Sequence, residues 1–157
     1  MNDYRNPNKA SHHIPIQQPQ ASGQLCPSAR CEEGAILLGI VGEDGVVGYI
    51  TPQVTIDSDF VREAHLGRMP EKRFRFSQMC VESNCLQWTG SRCGLIDRAL
   101  EATQAANTAE VVARVPPKCS IRSRCRWFAQ TGLDACVVCP LVITEVEPDD
   151  RSPKSTG

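Results

Sequence analysis

A chain of 157 residues with 17 basic and 18 acidic side chains, a net charge of -1, has room for one domain and is neither a bulk polyanion binder nor an acidic solvating chain. Leu, Ile, Val and Phe fill only about a fifth of it, so a compact fold would gain from an internal crosslink, and nine cysteines are present to supply one. No apolar run approaches the roughly 18 residues of a membrane span, and the polar first residues lack the apolar centre of an export signal, so a cytoplasmic location is expected.

Taken in chain order, residues 1–23 are rich in Asn, Gln, Ser and Pro and read as a disordered polar arm. Its His12-His13 pair is read as incidental. Residues 24–147 form the folded, cysteine-rich part, and 148–157 a second disordered tail. Within the fold, Ala35 to Val41 and Val46 to Thr51 flank the turn signal Glu43-Asp44-Gly45, which predicts a β-hairpin. Asp57 or Ser58 can cap a helix running to Leu66, with Phe60, Val61 and Ala64 turned inward. Phe74 and Phe76 alternate with charge in a basic stretch from Arg68 to Arg75, the pattern of a half-buried strand with a charged outer face. Contact between that stretch and nucleic acid is the weaker reading, since the chain as a whole is not basic.

After Cys93, apolar residues Leu95, Ile96, Ala99 and Leu100 recur at helical spacing, and Asn107 is placed at the helix end. A strand is expected at Glu110–Val115, a second helix from Ser120 to Gln130 with Gly132 at its end, and a closing strand from Leu141 to Val146. Strands and short helices mix without a βαβ rhythm. The fold class is therefore α+β, a small domain whose loops are organised around cysteine-ligated metal centres, with no convincing internal repeat.

The cysteines carry the chemistry. They fall in three clumps: Cys26 and Cys31; Cys80, Cys85 and Cys93; and Cys119-x5-Cys125-x10-Cys136-x2-Cys139-Pro140. The third clump holds four thiols, the number that a cubane cluster or a structural zinc requires. Arg122, Arg124 and Arg126 lie beside it and can offset the negative charge of a four-thiolate centre. The second clump has three thiols and needs a fourth from Cys26 or Cys31. Irregular gaps suit a [4Fe-4S] cubane better than the short knuckles of zinc sites, so one or two clusters are expected, with zinc as the alternative.

No P-loop, dinucleotide-binding glycine pattern or nucleophile elbow is present, and His65, the one histidine of the folded part, reads as a surface or capping residue. The reading is a non-enzymatic iron-sulfur protein acting in electron transfer or as a redox accessory to a partner enzyme. A zinc module for nucleic-acid or protein recognition and a thiol-based redox sensor are the alternatives.

Overall fold

The computed structural model describes residues 23–106 and 115–144. The N-terminal arm up to residue 22, the C-terminal tail, Asn107 and all but the last residue of the expected strand at Glu110–Val115 lie outside the described residues. Four strands form one antiparallel sheet: β1 (Leu25–Ala29), β2 (Ile36–Val41), β3 (Val47–Thr55) and β4 (Phe74–Met79), in the order β1-β4-β2-β3. With the short helices around it, the sheet makes a small α+β domain.

Local chemistry accounts for the elements that border the sheet. The β2–β3 hairpin turns where Gly45 takes φ +76°, a region costly for any side chain, and the Asp44 carboxylate accepts the Val46 N–H at 3.1 Å. Asp57 caps α1 (Ser58–Ala64) by accepting the Phe60 N–H at 2.8 Å. Pro70 opens the single turn α2 (Pro70–Arg73), where its missing N–H costs nothing. The 12-residue α3 (Gly94–Ala105) starts directly after Cys93.

β4 shows how the layers are arranged. Side chains alternate across a strand, so Phe74 and Phe76 face one side, where Phe76 is fully buried with Ala35, Ile56 and Ala64 beneath Phe60 and Val61 of α1. Arg75 and Ser77 face the other. That second side is also buried: it carries Leu25 and Leu38 against Ile96, Ile121, Trp127 and Ala135 from the cysteine-bearing segments. Burying each of Phe76, Leu38 and Ile96 contributes roughly 1.5–3 kcal/mol. The expected charged outer face of this strand is corrected here, because Arg75 is only 2% exposed. Alternation in a sequence reveals two faces, and it does not reveal that another layer covers the polar one.

Three further expectations change. β1, which contains Cys26, forms where only a cysteine pair was read. It is bulged: Cys26 pairs with Gln78 and Ala29 with Phe76, so three steps along β1 match two along β4. Pro27, which has no N–H to give a ladder, sits within that irregularity. The helix expected from Ser120 to Gln130 is broken into a 3-10 turn (Arg122–Arg124), an extended Cys125, and α4 (Arg126–Thr131). Gly132 at φ +69° then separates α4 from α5 (Leu133–Val138). Over the described part of the expected closing strand, a 3-10 turn at Cys139–Leu141 leads into irregular chain to Thr144, and its last two positions lie outside the described residues.

Candidate metal centres

Eight of the nine cysteines surround two cavities, four to each. The first is ringed by Cys119, Cys125, Cys136 and Cys139, the second by Cys26, Cys80, Cys85 and Cys93. None of these eight is in a disulfide. Cys31 lies apart, in the apolar cluster beneath α1, with its backbone N–H on the Glu71 carboxylate at 3.0 Å.

A local device recurs in the two rings. Between Cys80 and Cys85 the chain makes a 3-10 turn (Glu82–Asn84), and between Cys119 and Cys125 it makes another (Arg122–Arg124). Each turn ends on an extended cysteine, with φ -103° and ψ 137° at Cys85 and φ -77° and ψ 130° at Cys125. Cys93 is extended as well, capping α3. Breaking the helical path at these positions lets each thiol turn toward its cavity instead of lying along a helix face. The repeat is one of backbone conformation, with almost no residue identity beyond the cysteines, which is why the sequence does not display it.

In the first ring, donors converge on Cys139. The Tyr49 hydroxyl donates to its Sγ at 2.8 Å, and the Arg75 guanidinium donates to Sγ at 3.2 Å and to the backbone oxygen at 3.1 Å. Arg75 also lies 6.0 Å from the centre of the Trp127 ring. No carboxylate pairs with Arg75 among the described residues. Arginine is always charged, and a charge in the interior needs an opposite one. Its acceptors are the backbone oxygen and the sulfur of Cys139, so its charge is held directly against the first ring. Burial and the adjacent Cys139 push the Tyr49 phenol far above its ordinary value, so it stays protonated and remains a donor.

Burial opposes ionisation of three ring thiols, Cys125, Cys119 and Cys26. Cys125 is pushed up to about 11 by burial, although the Phe128 and Trp127 amides at the start of α4 oppose the rise by donating to its sulfur. Cys119 is raised for the same reason, against the Ile121 amide and the Arg122 charge, while Cys139 and Cys136 add to the rise. Cys26 in the second ring is pushed up to about 12, by burial first, with Cys80, Cys93 and Cys85 adding repulsion. These mutual influences follow the division into two groups of four.

The second ring is held by backbone donors and a glutamine clamp. Ser28 and Gln87 amides donate to the sulfurs of Cys26 and Cys85, each at 3.4 Å. Gln130 on α4 accepts the Cys93 N–H at 2.7 Å and donates to the Cys93 oxygen at 3.1 Å, fixing the start of α3. Arg126 lines this cavity, pairs with Glu82 at 2.5 Å and lies 5.1 Å over Trp88.

The three arginines read beside the third clump therefore separate. Arg122 lines the first cavity and donates to the Pro117 oxygen. Arg126 belongs to the second. Arg124 is exposed, reaches toward the Met79 sulfur at 3.8 Å, and lines neither. The break at Cys125 directs the arginines to different sides. Tyr49, Arg75 and Gln130 were not read from the sequence. The alternation of Arg75 with Phe74 and Phe76 was the one available signal, since a strand with a covered second face would bury it.

Among the described residues, no three Cys, His, Asp or Glu side chains converge at the spacing of a single metal ion. No helix is long and apolar enough to cross a membrane among the described residues. No protein-family model, curated protein or solved structure matches this chain.

Proposed function

We propose that the protein binds two [4Fe-4S] clusters, one in each cysteine-ringed cavity, and works as a one-electron carrier or redox accessory to a partner enzyme. The observation that carries this reading is the grouping of eight cysteines four and four around two cavities, with a buried guanidinium bonded to one cysteine of the first ring and, among the described residues, no carboxylate paired with it. Four thiolates on a cubane give a net anionic centre. Arg75 is then paired where otherwise it is a costly buried charge.

Zinc would also be anionic with four thiolates, but the gaps Cys119-x5-Cys125 and Cys85-x7-Cys93 are longer than the short knuckles usual at structural zinc. Electron transfer is favoured over catalysis on an open iron because four thiols at each cavity fill every ligand position of a cubane. Among the described residues, neither cavity is lined by an aspartate, glutamate or histidine that would serve as acid or base. Each chain's own residues then have plain tasks. The cysteines hold the cluster, Tyr49, Arg75 and the backbone amides donate to sulfur, and the apolar walls of Leu38, Leu95, Trp127 and Phe128 exclude water.

Anaerobic iron and sulfide analysis of the full chain after reconstitution tests the proposal. About eight iron and eight sulfide per chain are expected, with a brown colour that bleaches on reduction. Folded, colourless protein that takes up only zinc overturns it.

A further inference from the structure

Resting on that reading, we infer that the two centres form one coupled pair, separated by a single indole and a single strand, in which the centre at Cys139 is the electron sink. Trp127, 1% exposed, lines both cavities. Along β1 the side chains alternate: Cys26 and Ser28 line the second cavity and Pro27, between them, lines the first. Leu25 bridges in parallel to Cys125, so a ligand of one centre lies one strand pairing and one residue from a ligand of the other. Arg126 repeats the relation, since it follows Cys125 directly and lines the second cavity.

The pair is asymmetric. Adding an electron makes a centre more negative. At the first centre the added charge meets Arg75, unneutralised by any carboxylate among the described residues, together with the Tyr49 hydroxyl. Interior surroundings strengthen such attraction. At the second centre the nearby cation, Arg126, is already paired with Glu82. Both cysteine loops are exposed, at Val81 to Asn84 and Leu86 in the second ring and at Lys118, Ser120, Ser123 and Arg124 in the first, so Arg75 and Tyr49 set the direction: an electron taken up from an outside carrier protein passes from the second centre to the first. In that step one electron leaves the second cluster, which is oxidised by one unit, and enters the first, which is reduced by one. No bond forms or breaks and no proton moves.

The test is a stepwise dithionite titration of reconstituted full-length protein followed by electron paramagnetic resonance. One electron per chain should give a single simple signal, and two electrons a broadened, spin-coupled spectrum. Tyr49→Phe should move only the higher of the two reduction potentials, and move it downward. Arg75→Gln should do the same more strongly, and Tyr49→Phe keeps the test usable if the Arg75 variant does not fold. Two clusters whose fully reduced spectrum is the plain sum of two isolated signals would overturn the pairing. A downward shift of the lower potential in Tyr49→Phe would overturn the direction. Protein lacking iron altogether would instead sink the cluster reading itself, an outcome that the metal analysis separates from these.

Discussion

Arg75 and Cys139, 64 positions apart, are joined twice, guanidinium to sulfur at 3.2 Å and guanidinium to backbone oxygen at 3.1 Å. The contact ties β4 to the end of α5 and makes the sheet responsive to the charge in the first ring. Arg75→Met removes a buried charge that lies against the Cys139 sulfur. In the cluster-loaded protein the loss should be about 3–5 kcal/mol, the cost of breaking a buried pair. In the metal-free protein, where no cluster charge faces the guanidinium, the same substitution should cost far less or stabilise. Denaturant unfolding of both forms, with and without iron, checks the difference.

Replacing the ring cysteines one at a time should divide the iron in two. Alanine at Cys119, Cys125, Cys136 or Cys139 should remove one cluster's worth, and alanine at Cys26, Cys80, Cys85 or Cys93 the other. Cys31→Ala should keep all the iron. Its sulfur lies in the apolar cluster under α1, so the loss should appear as about 1 kcal/mol of stability, from roughly one buried group's transfer free energy. Iron content per chain, measured beside melting curves for all nine variants, gives the answer.

Much of this was legible from local chemistry. The hairpin declares itself through Asp44 and Gly45, α1 through its Asp57 cap, and α3 through apolar spacing after Cys93, because each is decided within a few residues. What lay beyond the sequence is tertiary. Cys26 and Cys31 are equal candidates until β1 places Cys26 beside Cys80, through the Cys80 N–H to Gln24 oxygen bond at 2.9 Å, and leaves Cys31 on the other side of the sheet. Arg75 reads as a surface charge until the cysteine-bearing layer covers it. The helix expected through Cys125 fails because its good helix formers lose to the need to turn a thiol inward, a tertiary demand overriding propensity.

Raised thiol values fix the sign of a pH effect. An unfolded cysteine ionises near 9.0, whereas folded, metal-free Cys125 and Cys26 do so at about 11 and about 12. Between those limits the unfolded chain binds fewer protons than the folded one, so stability falls as pH rises. The metal-free protein should therefore be at full stability below pH 9 and should lose it progressively from about 9 to about 12. Cluster-loaded protein, with its thiols already ionised by ligation, should lack this slope. Uptake of metal should in turn release protons and proceed more slowly as pH is lowered. Urea midpoints of both forms at pH 8 and pH 10.5, and dye-detected proton release on loading, check each part.

Gly94 offers a way to disturb one ring and spare the other. It follows Cys93 at the start of α3, donates its N–H to the Gln87 oxygen at 2.7 Å, and packs so closely that an added Cβ would lie 2.8 Å from the Thr89 methyl and 3.1 Å from that same oxygen. The backbone oxygen cannot swing aside as a side-chain end can. Gly94→Ala should therefore push the Cys85–Thr89 segment away from α3, at about 1–3 kcal/mol, the usual cost of overpacking. Because Cys85 and Cys93 belong to the second ring, its cluster should be lost or become labile. The first ring shares neither residue and should keep its iron. Half the iron content, with the higher-potential signal intact, is the expected result, and equal loss from both centres would show that Gly94 serves the fold as a whole and not the second ring.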